Sequence, residues 1–414
     1  MNVYAVIILT ALLVEFLLSR IADVFNLKEL SGTLPKEFEG FFDAEKYKKS
    51  QDYTRVNTRF GYVTETFDLV LILVFWFAGG FNWLDQFLRP YDLHMIWTGL
   101  LFIGLLGIGR MIISLPFSIY STFVIEEKFG FNKTTVKTFI LDRVKGLFLS
   151  LVIGGPLLAG ILAIFQYLGD IAWLVGWGVV TLFTILLQYI APRWIMPLFN
   201  KFTPLEEGEL KDRILAYADS VDYPLAGVYK IDGSKRSTKS NAFFTGFGKN
   251  KRIALFDTLI DQHTVPELVA VLAHEIGHYK KKHILTGMII SIAHAGVMFF
   301  LLSLFLTQEG LFNAFYMEEI SIYAGLLFFG LLYSPVELIL SLALNSFSRH
   351  NEYQADRFAV ETTDAPEAMI DALKKLSVNN LSNLRPHTFY VFLHYSHPPV
   401  LQRIKAIRRI AKEE

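Results

Sequence analysis

Residues 271–294 read VLAHEIGHYKKKHILTGMIISIAH, a polar cluster that gives way to an apolar run across three consecutive lysines. His274 and His278 are four apart, so on a helix both imidazoles leave from one face and can grip a single cation. Glu275 is turned about 100° from His274, too far to complete the ligand set easily but able to take a proton from a water beside the ion. This is the HExxH arrangement of metal-dependent hydrolysis. Upstream, Thr264-Val265-Pro266-Glu267 has the capping-box pattern with proline in the first turn, which starts a helix there. Nothing in the sequence breaks that helix before about residue 306, so one rod of roughly 60 Å is expected, half in water and half in lipid. Lys280, Lys281 and Lys282 would mark the membrane surface, with the histidines just on its aqueous side. Gly277 leaves room for a substrate or a neighbouring backbone. The bland alternative is a chance HEIGH on a half-exposed helix. An intramembrane peptidase with histidines deep in lipid is disfavoured by the lysines and the capping box.

The surrounding chain decides what that apolar run is. Of 414 residues 53% are hydrophobic and 37 are Phe, and the mean hydropathy is +0.39, which is the composition of an integral membrane protein. Seven runs are long enough to cross a bilayer, near 3–25, 63–85, 95–118, 147–167, 170–192, 284–306 and 320–344. The first carries Glu15 and Arg20 and lacks a basic start and a cleavage pattern, so it is expected to be a retained anchor. The segments 26–62, 119–146, 193–283 and 345–414 hold 36 of the 39 Lys and Arg. The positive-inside rule therefore puts these four in the cytoplasm, with the N-terminus outside and the C-terminus inside. A formal net charge of zero argues against a nucleic-acid partner, and the absence of cysteine excludes disulfides, thiol catalysis and sulfur-ligated zinc.

Four divisions follow: 1–192 with five spans, 193–283 with the HExxH helix, 284–344 with two spans, and a C-terminal segment 345–414. Within the second, YKI, NAFFTGF and RIALFDTLI read as short strands around glycine turns, which predicts a small sheet. A catalytic zinc wants three protein ligands. After the seventh span, SFSRHNEYQADRFAVE places Glu352 and Asp356 four apart, so Glu352 can bind the metal while Asp356 accepts the ring N–H of a liganding histidine. Spacing alone leaves open the plainer reading, ordinary surface charges on an amphipathic helix.

HEIGH followed two spans later by SRHNEYQADRFA resembles the signature of the type 1 CaaX prenyl proteases, integral-membrane zinc metalloendopeptidases. STFVIEEKFGFNKTT at 121–135, IDGSKRSTKSNAFFTGFGKNKRIALFDTL at 231–259 and HYSHPPVLQRI at 394–404 fit the same family, covering about two-thirds of the chain in order. The resemblance implies an all-α membrane protein whose seven helices surround a water-filled chamber, capped by a small cytoplasmic α+β peptidase domain. It implies one Zn²⁺ per chain on His274, His278 and Glu352, with Glu275 as general base. Asp356 would be either a partner of a zinc histidine or a proton donor, and the former is preferred because an ionised Asp near a cation is a poor acid. His397 would steady the oxyanion, Arg403 the substrate's C-terminal carboxylate, and Asn241 and Ala242 an edge strand that holds a peptide. Lys239 and Thr245 depart from the His and aromatic expected there, which bears on the groove and not on the metal.

The implied substrate is a peptide or protein cut near its C-terminus, beyond a prenylated cysteine in the best-known case, in a cell inner membrane or an endoplasmic reticulum. Two rival readings remain. One is a zinc protease of membrane-protein quality control, and the other a seven-helix receptor or transporter with an incidental HExxH. Without the resemblance His397 reads as a surface histidine; His283 and His294 receive no role and are placed at the interface and in a helix contact. Glu65, Asp68, Arg110 and Glu337, costly in lipid, should face one another or a wet cavity.

Overall fold

The computed structural model describes residues 1–245 and 251–413. Seven helices are long and apolar enough to cross a membrane: α1 Val3–Lys28, α2 Ala44–Phe77, α3 Met95–Glu126, α4 Val136–Tyr167, α5 Gly169–Leu198, and, after the HEIGH helix α6 Val265–Lys280, α7 His283–Phe305 and α8 Ile322–Thr363. Each of the seven predicted runs overlaps one of them. The second run, expected to reach residue 85, stops at Phe77. Gly79 there takes φ of +71° and a separate short helix, Gly80–Leu88, follows.

The expectation of one continuous 264–306 helix is overturned. Lys282 adopts φ of +61°, in the left-handed region, so α6 ends at Lys280 and α7 begins at His283. No glycine or proline announces this break, and a lysine is a rare occupant of such a backbone. The start of α6 is as expected: Thr264 and Glu267 form the capping box, and Glu267 also pairs with Lys375 at 2.7 Å, tying the helix to α9, Pro366–Asn379.

Packing is concentrated at the two ends of the bundle. At the end where α2 stops and α3 begins, Trp76, Phe81, Phe102, Leu162, Phe312, Phe315 and Phe328 form one buried aromatic-rich cluster, and Trp76 donates its indole N–H to the Ala314 carbonyl. At the other end Phe38, Ile125, Phe131, Ala270, Val360, Ile370 and Ile407 gather the start of α2, the end of α3, α6 and the C-terminal helices, among them α10, Val400–Glu413. Between the ends little is covered: the apolar stretches of α2, α3 and α4 are each 6% buried.

Beside α6 lies a four-stranded sheet in the order β1-β2-β4-β3, formed by β1 Phe202–Pro204, β2 Leu225–Ile231, β3 Ala242–Thr245 and β4 Lys251–Phe256. β1 is antiparallel to β2, β2 parallel to β4, and β3 antiparallel to β4, which leaves β3 at an edge. The three predicted strands are present, with two differences. DTLI turns into helix Asp257–Gln262, and β1 has no clear signal because three residues are too few for a period. The last two residues of NAFFTGF lie outside the described residues. Ile253, Leu255, Leu268, Leu272, Ala273 and Ile276 pack sheet against α6.

Candidate metal centre

Gly277 brings α6 against α8: a Cβ there would stand 3.1 Å from both Cα and the carbonyl oxygen of Ala355. The room predicted at this position is thus taken by neighbouring backbone. That approach puts one face of α6 opposite Glu352 and Asp356. His274 Nε2 and His278 Nε2 lie 3.2 Å apart, Glu352 Oε1 lies 3.2 Å from His278 Nε2, and Glu352 Oε2 lies 3.5 Å from His274 Nε2. Three residues from two helices therefore form a triangle that could hold a metal ion, one ligand atom from each lying within 4.8 Å of the others. Glu352 is buried, and among the described residues its Oε2 has no hydrogen bond, with the Arg403 guanidinium 3.5 Å away, so this carboxylate oxygen keeps a lone pair for a metal ion.

Behind the triangle the ligands are held. Asp356, fully buried, accepts from His274 Nδ1 at 2.8 Å, which leaves Nε2 to face the triangle. Arg403, on α10, donates to Asp356 through Nε at 2.9 Å and Nη2 at 2.6 Å, while its Nη1 lies 3.5 Å from Glu352 Oε2. Burial presses the Arg403 pKa down, yet Asp356 and Glu352 outweigh it and hold the guanidinium charged. For His274, burial and Arg403 favour the neutral ring, but the Asp356 and Glu352 carboxylates prevail and raise its pKa to about 9 without a metal.

The open side carries the other predicted groups. Glu275 is half-buried and makes no hydrogen bond to any described residue. His397 is exposed, with Nε2 3.3 Å from Glu352 Oε1 and Nδ1 3.0 Å from Ser396 Oγ. Ala242 begins β3, its N–H taken by the Asn241 side chain at 2.8 Å, and the Asn241 carbonyl accepts from Phe256 N–H at 3.1 Å.

Two features escaped the sequence. Lys239 lies 2.7 Å from the Tyr53 hydroxyl and 2.9 Å from Glu126 Oε2, with its ammonium 4.5 Å from the Phe131 ring centre; only the identity of the residue hinted at it. His283, placed at the interface, touches His278 instead, Nδ1 to Nδ1 at 3.0 Å. His294 makes the expected helix contact, to Tyr333 at 3.0 Å.

Both halves of the chain have known relatives. Residues 23–201 match the family described as CAAX prenyl protease N-terminal, five membrane helices, and residues 204–411 match peptidase family M48. CAAX prenyl protease 1 of Saccharomyces cerevisiae is 38% identical over 417 residues, 94% of this chain and 91% of that one. The Homo sapiens CAAX prenyl protease 1 homolog is 34% identical, over 91% of this chain and 88% of its own. The crystal structure of S. mikatae Ste24p superposes with a TM-score of 0.93 at 36% identity, over 98% of this chain and 99% of that one. With the His-His-Glu triangle spanning two helices of a seven-span bundle, these matches say where the protein stands: the chain belongs to the CAAX prenyl proteases of peptidase family M48.

Proposed function

We propose that the chain is a membrane-embedded zinc endopeptidase that cuts near the C-terminus of CAAX-type peptides, prenylated or otherwise membrane-associated. The observation that carries this is the triangle itself. Ligand atoms about 2.1 Å from a tetrahedral zinc stand roughly 3.4 Å apart; here the two imidazole Nε2 atoms are 3.2 Å apart, and each has a Glu352 oxygen beside it, Oε1 at 3.2 Å from His278 and Oε2 at 3.5 Å from His274. The nitrogen and oxygen donor set suits zinc in a chain without cysteine. When bound, zinc supplies a Lewis acid that polarises the scissile carbonyl and makes water acidic.

The chain's own groups do the rest. Glu275, whose side chain has no hydrogen bond among the described residues, accepts the proton of the attacking water and passes it to the departing amine. His397, on the exposed side of Glu352, donates to the oxyanion as it forms. Asp356 receives two hydrogen bonds from Arg403 and one from His274, so it orients rather than protonates. Arg403 serves Asp356 first; Nη1 is the nitrogen left to meet a substrate carboxylate. The free edge of β3, from Asn241 and Ala242 onward, pairs with the extended substrate.

The residues that would hold the metal lie at the end of the bundle that holds most Lys and Arg, which supports a cytoplasmic active site formed by 193–283 and 345–414. The chamber reading draws on sparse burial along the spans and on their polar groups. Asp68 and Arg110 pair with side chains 39% and 49% exposed, Arg20 pairs with Glu65, and Glu337 lies 3.3 Å from His294. Charges left open at membrane depth require water beside them. Purified full-length protein should contain one zinc per chain and cleave a farnesylated CAAX peptide in a chelator-sensitive manner. Preference for an unmodified loop peptide would instead indicate quality-control proteolysis, and metal-independent turnover would overturn the reading.

A further inference from the structure

His283 lies five residues after His278. On an unbroken helix, positions five apart are turned about 140° from one another and cannot touch. The left-handed backbone of Lys282 redirects the chain, and the first residue of α7 thereby returns its ring to the back of a metal ligand, with ring centres 5.1 Å apart. From there a single file of hydrogen bonds continues: His283 Nε2 to Gln354 Oε1 at 3.0 Å, then Gln354 Nε2 to His350 Nε2 at 2.8 Å. Gln354 is on α8, two residues beyond Glu352.

The file has a direction. An amide nitrogen only donates and an amide oxygen only accepts. With its nitrogen toward His350, Gln354 accepts a hydrogen bond through Oε1 from His283 Nε2–H. Neutral His283 then offers a lone pair at Nδ1, His278 donates Nδ1–H to it, and His278 Nε2 is left with its lone pair facing the triangle. Were the file reversed, His283 would donate to His278 Nδ1, and His278 Nε2 would carry a proton where the metal has to sit. We infer that His283 is a positioning residue for the metal: with Gln354 it fixes the tautomer of His278 in which Nε2 is the ligand, and the break at Lys282 exists to put it there. This rests on His278 being a metal ligand.

The test is zinc affinity of full-length protein in detergent, measured by competition with a chromogenic chelator. His283→Leu keeps bulk but removes the acceptor, and its affinity should fall on the order of ten- to a hundredfold. His283→Asn sets its Oδ1 where Nδ1 was and should stay within about threefold of wild type. Gln354→Leu should fall in the same direction, and adding it to His283→Leu should cost less than the two single losses combined. If His283→Leu binds zinc as wild type does, or His283→Asn loses as much as His283→Leu, the positioning role is refuted. Should His283→Leu not fold, the Asn and Gln354 variants decide alone: unchanged affinity in Gln354→Leu, or a large loss in His283→Asn, overturns the inference. His278→Ala separates the two readings. Zinc retained there removes the ligand assignment itself, whereas zinc lost there but kept in His283→Leu removes only this inference.

Discussion

The Nδ1 nitrogen of His274 and the carboxylate of Asp356 meet at 2.8 Å in the interior, one on α6 and the other on α8. That contact joins the helix of the histidines to the helix of the third ligand. Asp356→Asn can still accept but no longer balances Arg403 or anchors the imidazole as firmly. Zinc affinity should fall roughly ten- to a hundredfold, read by chelator competition. Unchanged affinity would mean the aspartate only fills space.

Removing one partner of a buried ion pair leaves the other uncompensated. Arg403→Leu is therefore expected to destabilise the metal-free protein by about 3–5 kcal/mol. Thermal melting of chelator-treated protein checks this; an unshifted midpoint would free Arg403 for the substrate alone.

Gly277→Ala places a methyl group 3.1 Å from Ala355 backbone atoms. Backbone cannot rotate away, so the two helices must part, at a cost of about 1–3 kcal/mol. Both melting temperature and zinc affinity should drop, because the same movement widens the triangle. A drop in stability with intact metal affinity would show that the ligands do not depend on this approach.

Without metal, the Asp356 and Glu352 carboxylates raise the His274 pKa from the ordinary imidazole value to about 9. A raised basic group contributes stability that is complete below its unfolded pKa and lost as pH climbs through the folded one. Chelated protein should accordingly lose melting temperature between about pH 6.5 and 9. Zinc-loaded protein should show no such loss from this residue, since the ligated ring is already deprotonated, and loading below pH 9 should release a proton. Parallel melting curves across that window would contradict the electrostatics described for the site.

Lys239 fastens the stretch leading into β3 to α2 and α3, through Tyr53 and Glu126. Its side chain is 36% exposed, so screening trims the contact to about 1 kcal/mol. Lys239→Met should lower kcat/KM for peptide roughly fivefold while leaving zinc content unchanged. A change in metal content would place the lysine nearer the ion than its contacts do.

The seven spans and the placement of HEIGH opposite Glu352 were legible because both depend on simple spacing: continuous apolar length in one case, four-residue repeats on a helical face in the other. Glu352 and Asp356 could be paired with the histidines because α8 runs unbroken past the end of its apolar stretch. What stayed hidden depended on turns with no composition to mark them. Lys282 takes a backbone usually reserved for glycine, so His283 looked like part of one long rod. Arg403 reaches Asp356 across 47 residues of sequence, a closure that no local period records.

The two supports of the triangle are built differently. Glu352 rides on α8, one helix of 42 residues with Pro335 inside it, about 63 Å that continues from the apolar stretch into the site. His274 and His278 ride on a helix set off from its own membrane segment by the joint at Lys282 and linked back to it through the contact of His278 with His283. The carboxylate arm of the site is therefore continuous with a membrane span, while the imidazole arm meets its own span across a joint.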